Sequence, residues 1–289
     1  VAPLRSRLAS SHLAAAALKA LAGVDRRRSL PVPAALPLRA SYDRAAGATS
    51  SDDVLDVPDV WIWADTFTDG FRPRAAEAAI RVLADAGLRA RVIPERACCG
   101  LTWTSTGQLD TARRVLGQAV DTLAPYVASA ARVIGLEPSC LASLRSDVEQ
   151  LIDDPAAALV GRRVLTLAEV LTEVGWVPPD LAGLRVVAQP HCHHASVLGW
   201  DADERLLRAA GTELTVVGGC CGLAGSFGME RGHYETSVAV AETQLLPAVR
   251  ARPDAVVLAD GLSCRHQLAD LEGVSAVTLA ELLASRLAR

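Results

Sequence analysis

Four of the seven cysteines in this 289-residue chain stand in two copies of Cys-Cys-Gly, one within "RACCGLTWTSTG" (residues 96–107) and one within "GGCCGLAGSFG" (residues 218–228). Adjacent thiols on one tight turn are soft donors that suit zinc or an iron–sulfur cluster, and two sulfurs so placed can reach two metal atoms of one cluster. The glycines that follow them, Gly100 and Gly222, remove side-chain bulk where the backbone must come close. Burial as a small hydrophobe accounts for any single cysteine, but not for a duplicated pair followed by glycine. Structural disulfides are disfavoured by the odd count and by the lack of a credible export signal. Structural zinc usually sits on two close hooks in a small loop-rich unit, whereas these cysteines are spread over long segments. One-electron transfer is the chemistry the pattern favours.

The elements that must position these thiols can be read around them. An apolar run "DVWIWAD" predicts a buried strand, and "PRAAEAAIRVLADAG" an amphipathic helix closing at Gly87. "RARVIP" predicts a second strand leading into Cys98 and Cys99. Strand, helix and strand with short connections form a parallel crossover unit. The second half repeats the plan: "LRVVAQPHCHH" as strand, "ADERLLRAAG" as helix closing at Gly211, and "TELTVVGGCCG" as the next strand. Downstream, a helical stretch reaching Pro125 or Pro247 precedes "ARVIGLEPSC" and "DAVVLADGLSC", which end at Ser139-Cys140 and Ser263-Cys264. "TLAEVL" (166–171) and "TLAELL" (278–283) close the copies.

An internal duplication of this length implies two similar lobes and not a repeat array. The expected fold is α/β: two pseudo-repeated lobes, each an open parallel sheet with flanking helices, with all seven cysteines at strand C-terminal ends, where such folds bind ligands. The expected organisation is a helical and linker segment over 1–57, a first repeat over 58–178 and a second over 183–289. The two reactive edges should share a cleft, with Cys98, Cys99 and Cys140 in one patch and Cys192, Cys220, Cys221 and Cys264 in another.

Composition narrows the classes. A hydrophobic content of 51% supports buried cores, and a net charge of -4 with a pI near 5.9 provides no basic field for nucleic acid or anionic lipid. No apolar stretch reaches the length of a membrane span. The N-terminal residues superficially copy a secretory signal, but Lys19 interrupts the apolar run, and apolar residues at 13, 17, 18 and 21 predict a short amphipathic helix. Residues 24–58 have linker composition. The chain starts at Val1 with Met229 as its single methionine, as expected of a piece of a longer polypeptide or of an unusual start. No dinucleotide fingerprint appears, and with Lys19 as the single lysine there is no phosphate-loop lysine.

The duplicated Cys-Cys-Gly, with an upstream cysteine and a downstream cysteine-containing strand end, resembles the cysteine-rich CCG domain. That domain occurs in the B-type subunit of heterodisulfide reductase, the iron–sulfur subunit of glycolate oxidase and the C subunit of anaerobic glycerol-3-phosphate dehydrogenase. "ADTFTDGFRP", "GLEPSC", "GGCCGLAGSFG" and "ADGLSC" look most like the C-terminal part of fused FAD-linked D-lactate or D-2-hydroxyacid dehydrogenases. The resemblance covers about residues 58–289, and the linker before them also looks like the segment after the ferredoxin-type domain in that group. It implies an iron–sulfur electron-transfer module, carrying electrons from flavin toward a quinone or other acceptor. It also implies FAD on a partner or on a missing N-terminal part, a ferredoxin-type domain nearby, and a cytoplasmic location, at the membrane's inner face if a partner docks there.

The family pattern in each repeat is an upstream Cys, Cys-Cys-Gly and Cys-x-x-Cys. In the first copy Asp65 and Thr66 lie near the place of the upstream cysteine and Glu137 replaces the first Cys of Cys-x-x-Cys; in the second copy Gly261 replaces that same cysteine. The second site, with Cys192, Cys220, Cys221 and Cys264, is therefore the expected 4Fe-4S-type site. The first, with Cys98, Cys99 and Cys140, needs Glu137, Asp65 or an exogenous ligand, and zinc or no metal at all is an open alternative. "PHCHHAS" adds His191 and His193, read as ligands or as partners of the ligands, and His194, less strongly so. His12, His233 and His266 are read as surface or core, and Asp65, Glu137 and Asp260 as acid–base or structural groups. Two other readings stay open: a disulfide-reducing enzyme using Cys192 among the histidines, and a docking scaffold with vestigial or zinc-bound cysteines.

Overall fold

The computed structural model describes residues 12–46 and 57–287. The first sheet contains β1 (Val60–Trp63), β2 (Ala90–Val92), β3 (Arg132–Gly135) and β4 (Val164–Leu165) in the order β2-β1-β3-β4, all parallel. The second contains β5 (Arg185–Ala188), β6 (Glu213–Val216) and β7 (Val256–Leu258) in the order β6-β5-β7, also parallel. A single parallel bridge from Leu258 to Val277 stands where the first sheet has β4. The two lobes thus repeat one topology, as the sequence duplication implies. In each, the chain order reverses beside the first strand, between β1 and β3 and between β5 and β7. Connections leave in opposite directions there and open a crevice at the strand C-terminal ends.

Local chemistry explains the repeated elements. The helix Pro73–Asp85 buries Ala75, Ala76, Ala78, Ala79, Val82 and Leu83, and it ends before Gly87, which takes φ +76°; its counterpart Asp201–Ala209 ends before Gly211 at φ +82°. The closing phrases form helices Leu167–Glu173 and Leu279–Ala284. Each starts with a reciprocal capping box, Thr166 with Glu169 and Thr278 with Glu281, which satisfies two backbone donors at each helix start.

The lobes join by exchange. Helix Pro73–Asp85 of the first packs on Leu279–Ala284 of the second, and Asp201–Ala209 of the second packs on Leu167–Glu173 of the first. One apolar cluster runs through both, from Val60, Ile62 and Leu83 to Val186, Leu207 and Leu283. Two further clusters lie at the outer sides, one around Trp63, Leu116 and Leu123 and one around Val187, Leu245 and Leu268.

Several expectations change. The N-terminal helix exists, as His12–Leu21, but Leu18 is 54% and Leu21 88% exposed, so its apolar residues there are not buried. The proline-rich segment is more than a linker. Arg28 is fully buried, donating from Nε to the carbonyl of Gly228 (2.7 Å), from Nη1 to Gln267 Oε1 (2.6 Å) and from Nη2 to Ser237 Oγ (2.7 Å). Further on, helix Leu38–Ala46 sets Arg39 against the first lobe, paired with Asp69 at 3.0 Å and donating to the carbonyls of Ala64 and Glu95. The segment is thus a strap across both lobes; its residues 47–56 lie outside the described residues. The helix expected to reach Pro125 continues through it to Ala128. Among the described residues no helix is long and apolar enough to cross a membrane.

Replacing Arg28 by methionine keeps the bulk of the stem but strips three buried acceptors of their donor. The loss expected is about 3 kcal/mol, read as a lower midpoint in denaturant, with faster amide exchange in residues 24–37; an unchanged midpoint would show that the strap carries no stability.

Candidate functional site

All seven cysteines lie past the C-terminal ends of strands. Cys98 and Cys99 follow β2, Cys192 follows β5 and Cys220 and Cys221 follow β6, while Cys140 and Cys264 sit in the first turns of helices Pro138–Ala142 and Leu262–Glu272, just beyond β3 and β7. In the first lobe Cys99 and Cys140 are buried with their sulfurs 3.0 Å apart, and the half-buried Cys98 neighbours Cys99 and Thr66. In the second lobe the four thiols neighbour one another in a row, Cys192, Cys220, Cys221 and Cys264, close enough to shift one another's ionisation, and Cys264 also acts on Cys192. Cys192 is exposed at one end and Cys264 is buried at the other. The two expected patches are therefore both assembled.

The patches open toward one seam. Helix Pro138–Ala142, which carries Cys140, packs against the π-helical turn His194–Leu198 that follows Cys192. Glu137 reaches across the seam and accepts from the backbone N–H of Leu262 at 2.9 Å, as well as from Ser139 Oγ at 2.9 Å.

The glycines answer to close approach. Gly222 has φ +86°, and a Cβ there would lie 2.1 Å from the carbonyl oxygen of Ser237. Gly100, at φ +70°, would meet Leu116 at 3.1 Å. Only glycine adopts this left-handed conformation without strain. The segments after the two glycines differ. A five-residue helix, Leu101–Ser105, follows Gly100, but turns and one 3-10 turn, Phe227–Met229, follow Gly222. The helical stretch predicted downstream of each Cys-Cys-Gly therefore does not begin beside the second patch. Its place is taken by the loop that Arg28 ties to helix Tyr234–Ala241. The Gly222 N–H donates to Cys220 Sγ at 3.3 Å.

His191 stands beside the second patch. Its Nδ1 lies 4.0 Å from Cys192 Sγ and accepts from the N–H of His193 at 3.2 Å, and its Nε2 faces Ser263 Oγ at 3.2 Å. Burial, reinforced by His193, lowers its pKa to about 4, so the ring is neutral. A Cβ at Gly261 would come within 2.3 Å of this ring: the imidazole occupies the space that a cysteine at position 261 would need. His193 stacks edge-on against His191 at 5.3 Å. His233 stacks on Phe227, and His266 contacts the carbonyl of Ser29, both apart from the thiols.

The carboxylates are held by protein donors. Asp65 is buried and caps helix Thr66–Gly70, accepting from the N–H groups of Phe67 (2.8 Å) and Thr68 (3.1 Å) and from Thr68 Oγ1 (2.6 Å). Burial nonetheless raises its pKa. Burial and the charge of Asp65 raise Glu137 to about 7, and burial with the charge of Asp203 raises Asp260 to about 6. Arg265, buried at the seam, is a counter-charge to both Glu137 and Asp260. Nothing in the sequence marks Arg265, although it directly follows Cys264, or Asp203; polar residues inside helices carry no sequence sign of burial.

Thiols packed this closely resist ionisation together. Cys98, Cys99, Cys192 and Cys221 are pushed upward chiefly by contact with neighbouring thiols, and burial adds to this. Cys140 gains from its hydrogen bond with Cys99, yet burial and the charges of Asp65 and Glu137 push it up to about 12. Cys220, at the centre of the row, is held low by Cys192, Cys221, the Gly222 N–H and His191. A bound cation reverses this balance, because a coordinating thiol is deprotonated outright. Both patches therefore fit a metal group by donor type.

A model of the cysteine-rich domain called CCG matches residues 65–145 and 201–269, one stretch on each lobe. The chain belongs to this family. It is 26% identical over 260 residues to the C subunit of the anaerobic glycerol-3-phosphate dehydrogenase of Escherichia coli (strain K12), covering 87% of this chain and 64% of that protein. It is 28% identical over 226 residues to the probable glycolate oxidase iron-sulfur subunit of Bacillus subtilis (strain 168), covering 71% of this chain and 50% of that protein. A shorter match, 40% over 55 residues, links 19% of the chain to 5% of the D-2-hydroxyglutarate dehydrogenase of Escherichia coli (strain K12). The CCG chain thus spans less than two thirds of the length of each of these relatives.

Two outcomes are expected of this geometry. Alanine at position 222 should cost about 2–4 kcal/mol, from the left-handed backbone and the overlap with Ser237 together, against less than half of that at position 100; equal losses would mean the Ser237 contact relaxes freely. The second concerns pH. A carboxyl whose folded pKa is raised stabilises the fold when protonated, so in the metal-free chain Glu137 contributes stability that is lost as pH rises from about 4.5 to 7. The wild-type minus Glu137→Gln difference in unfolding free energy should fall by roughly 3 kcal/mol over that window; a flat difference would show that Glu137 stays ionised.

Proposed function

We propose that the chain is an iron–sulfur electron-transfer module that works with an FAD-linked dehydrogenase, and that its cluster site is the second-lobe row of Cys192, Cys220, Cys221 and Cys264. The observation that carries this reading is the row itself: four thiols at the β5–β7 crevice, bordered by a neutral His191. A single tetrahedral zinc needs its sulfurs all within about 4 Å of one another. Among the described residues, no three thiols converge within 4.8 Å, and an extended set suits a multinuclear 4Fe-4S-type group better than one ion. Such a group supplies one-electron exchange. The protein's part is to hold the sulfurs, exclude water at the Cys264 end and expose the Cys192 end, where a partner can approach.

In the same reading, residues 58–178 and 183–289 are the two repeats and 1–57 belongs to a preceding region. The first-lobe set, Cys98, Cys99 and Cys140, has three thiols, and the oxygens of Asp65 and Glu137 are already engaged by protein donors. It is the weaker site, holding zinc or no metal. FAD and a ferredoxin-type domain reside on a partner or in a preceding part, electrons pass toward a quinone or other carrier, and the molecule works in the cytoplasm, with membrane association through that partner. The names of the glycolate oxidase and glycerol-3-phosphate dehydrogenase relatives support a partnership of this kind. The substrate class we favour upstream is a D-2-hydroxyacid.

Anaerobic purification should yield iron and acid-labile sulfide in equal amounts. Cys221→Ser should remove most of the iron, and Cys99→Ser should leave most of it. Equal losses, or a greater loss at Cys99, would reverse the ranking of the two sites; zinc without sulfide would favour a scaffold.

A further inference from the structure

At the seam between the lobes lies a cavity of about 40 Å³, lined on the first-lobe side by apolar groups such as Leu136, Leu141 and Leu167 and on the other by His194, Asp203 and Asp260. The three polar residues come from three elements of the second lobe: the turn after Cys192, helix Asp201–Ala209 and the end of β7. One ligand atom from each lies within 4.8 Å of the others. His194 is 3% exposed and Asp203 likewise 3% exposed. Neither ring nitrogen of His194, nor Asp203 Oδ2, has a hydrogen-bond partner, although His194 Nε2 and Asp203 Oδ2 are 3.3 Å apart. Buried polar atoms without partners are rare and costly. Two carboxylates facing one another across an apolar-lined space also need positive charge; His194 supplies it only when protonated, and Arg265, the other counter-charge to Asp260, is shared with Glu137.

We propose that His194, Asp203 and Asp260 form a divalent-cation site, of zinc type, separate from both thiol patches. One imidazole nitrogen and two carboxylate oxygens are a common donor set for zinc, and bonds of about 2.0 Å at tetrahedral angles give a ligand–ligand edge of about 3.3 Å, the separation seen between His194 and Asp203. Asp260 accepts from the N–H of Leu279 through Oδ1, which leaves Oδ2 for the ion. The cavity leaves room for the ion and a water as fourth ligand, and an imidazole nitrogen among the donors suits zinc better than magnesium or calcium, which take oxygen ligands. The ion would tie the turn behind Cys192 to the strand end that leads into Cys264, fixing the two ends of the thiol row, whether or not that row carries a cluster.

The test is zinc binding to the full chain with Cys98, Cys99, Cys220 and Cys221 all changed to serine, so that both thiol sets are disabled. One zinc per chain is expected, with a zinc-edge X-ray absorption shell of nitrogen and oxygen near 2.0–2.1 Å and no sulfur near 2.3 Å. Adding Asp203→Asn or His194→Gln should weaken binding at least tenfold. If the cysteine variant does not fold, the comparison moves to the otherwise unaltered chain, where Asp203→Asn should lower zinc by one per chain and leave iron unchanged. Sulfur in the shell, no zinc at stoichiometric addition, or zinc retained by both the Asp203 and His194 variants would overturn the proposal and leave a buried His–Asp ion pair.

Discussion

The packing of helices between the lobes is the constraint on which the rest depends. Each lobe's sheet is three or four short strands, too little to bury both faces alone. The helices on the facing sides of the two lobes pack on one another: Pro73–Asp85 against Leu279–Ala284 and Asp201–Ala209 against Leu167–Glu173. Because one apolar cluster joins both pairs, the sheets cannot slide or turn independently. Their C-terminal edges are held toward a common seam, and every cysteine lies on those edges. The cross-lobe bond from Leu262 N–H to Glu137 is a polar consequence of this apolar arrangement.

Two lobes of common plan have diverged in what they offer a metal. The second keeps an upstream cysteine, and His191 fills the volume beside Gly261. In the first, Asp65 stands near the place of an upstream cysteine and spends its oxygens on capping a helix, and Glu137 is drawn to the other lobe. The first lobe's acids are thus engaged by protein donors, while the second lobe places four thiols between its exposed Cys192 and its buried Cys264. The strap reinforces the second lobe through Arg28, which joins the loop after Gly222, helix Tyr234–Ala241 and helix Leu262–Glu272.

The sheet topology and both thiol sets were legible in the sequence because they rest on local signals: apolar runs for β1, β3, β5 and β7, closing glycines at 87 and 211, and Thr-x-x-Glu capping boxes. The features that were not legible depend on contacts between distant segments. Arg28 and Arg39 sit in a stretch with linker composition, and nothing local says that their guanidinium groups are buried. Residues 223–233 turn instead of forming a helix, because Gly222 and Gly228 lie against Ser237 and Arg28 holds the carbonyl of Gly228. His194 read as the least promising of three histidines; a π-helical turn, invisible in sequence, directs it to the seam with Asp203 and Asp260.

The central claim is that the second-lobe thiols hold a multinuclear iron–sulfur group. Iron-edge X-ray absorption of the anaerobically purified chain tests it most directly. Iron in a sulfur shell with a short iron–iron vector is expected, both lost together when Cys264 is changed to serine. Iron in a shell of nitrogen and oxygen with no iron–iron vector, or a signal indifferent to Cys264, would contradict it.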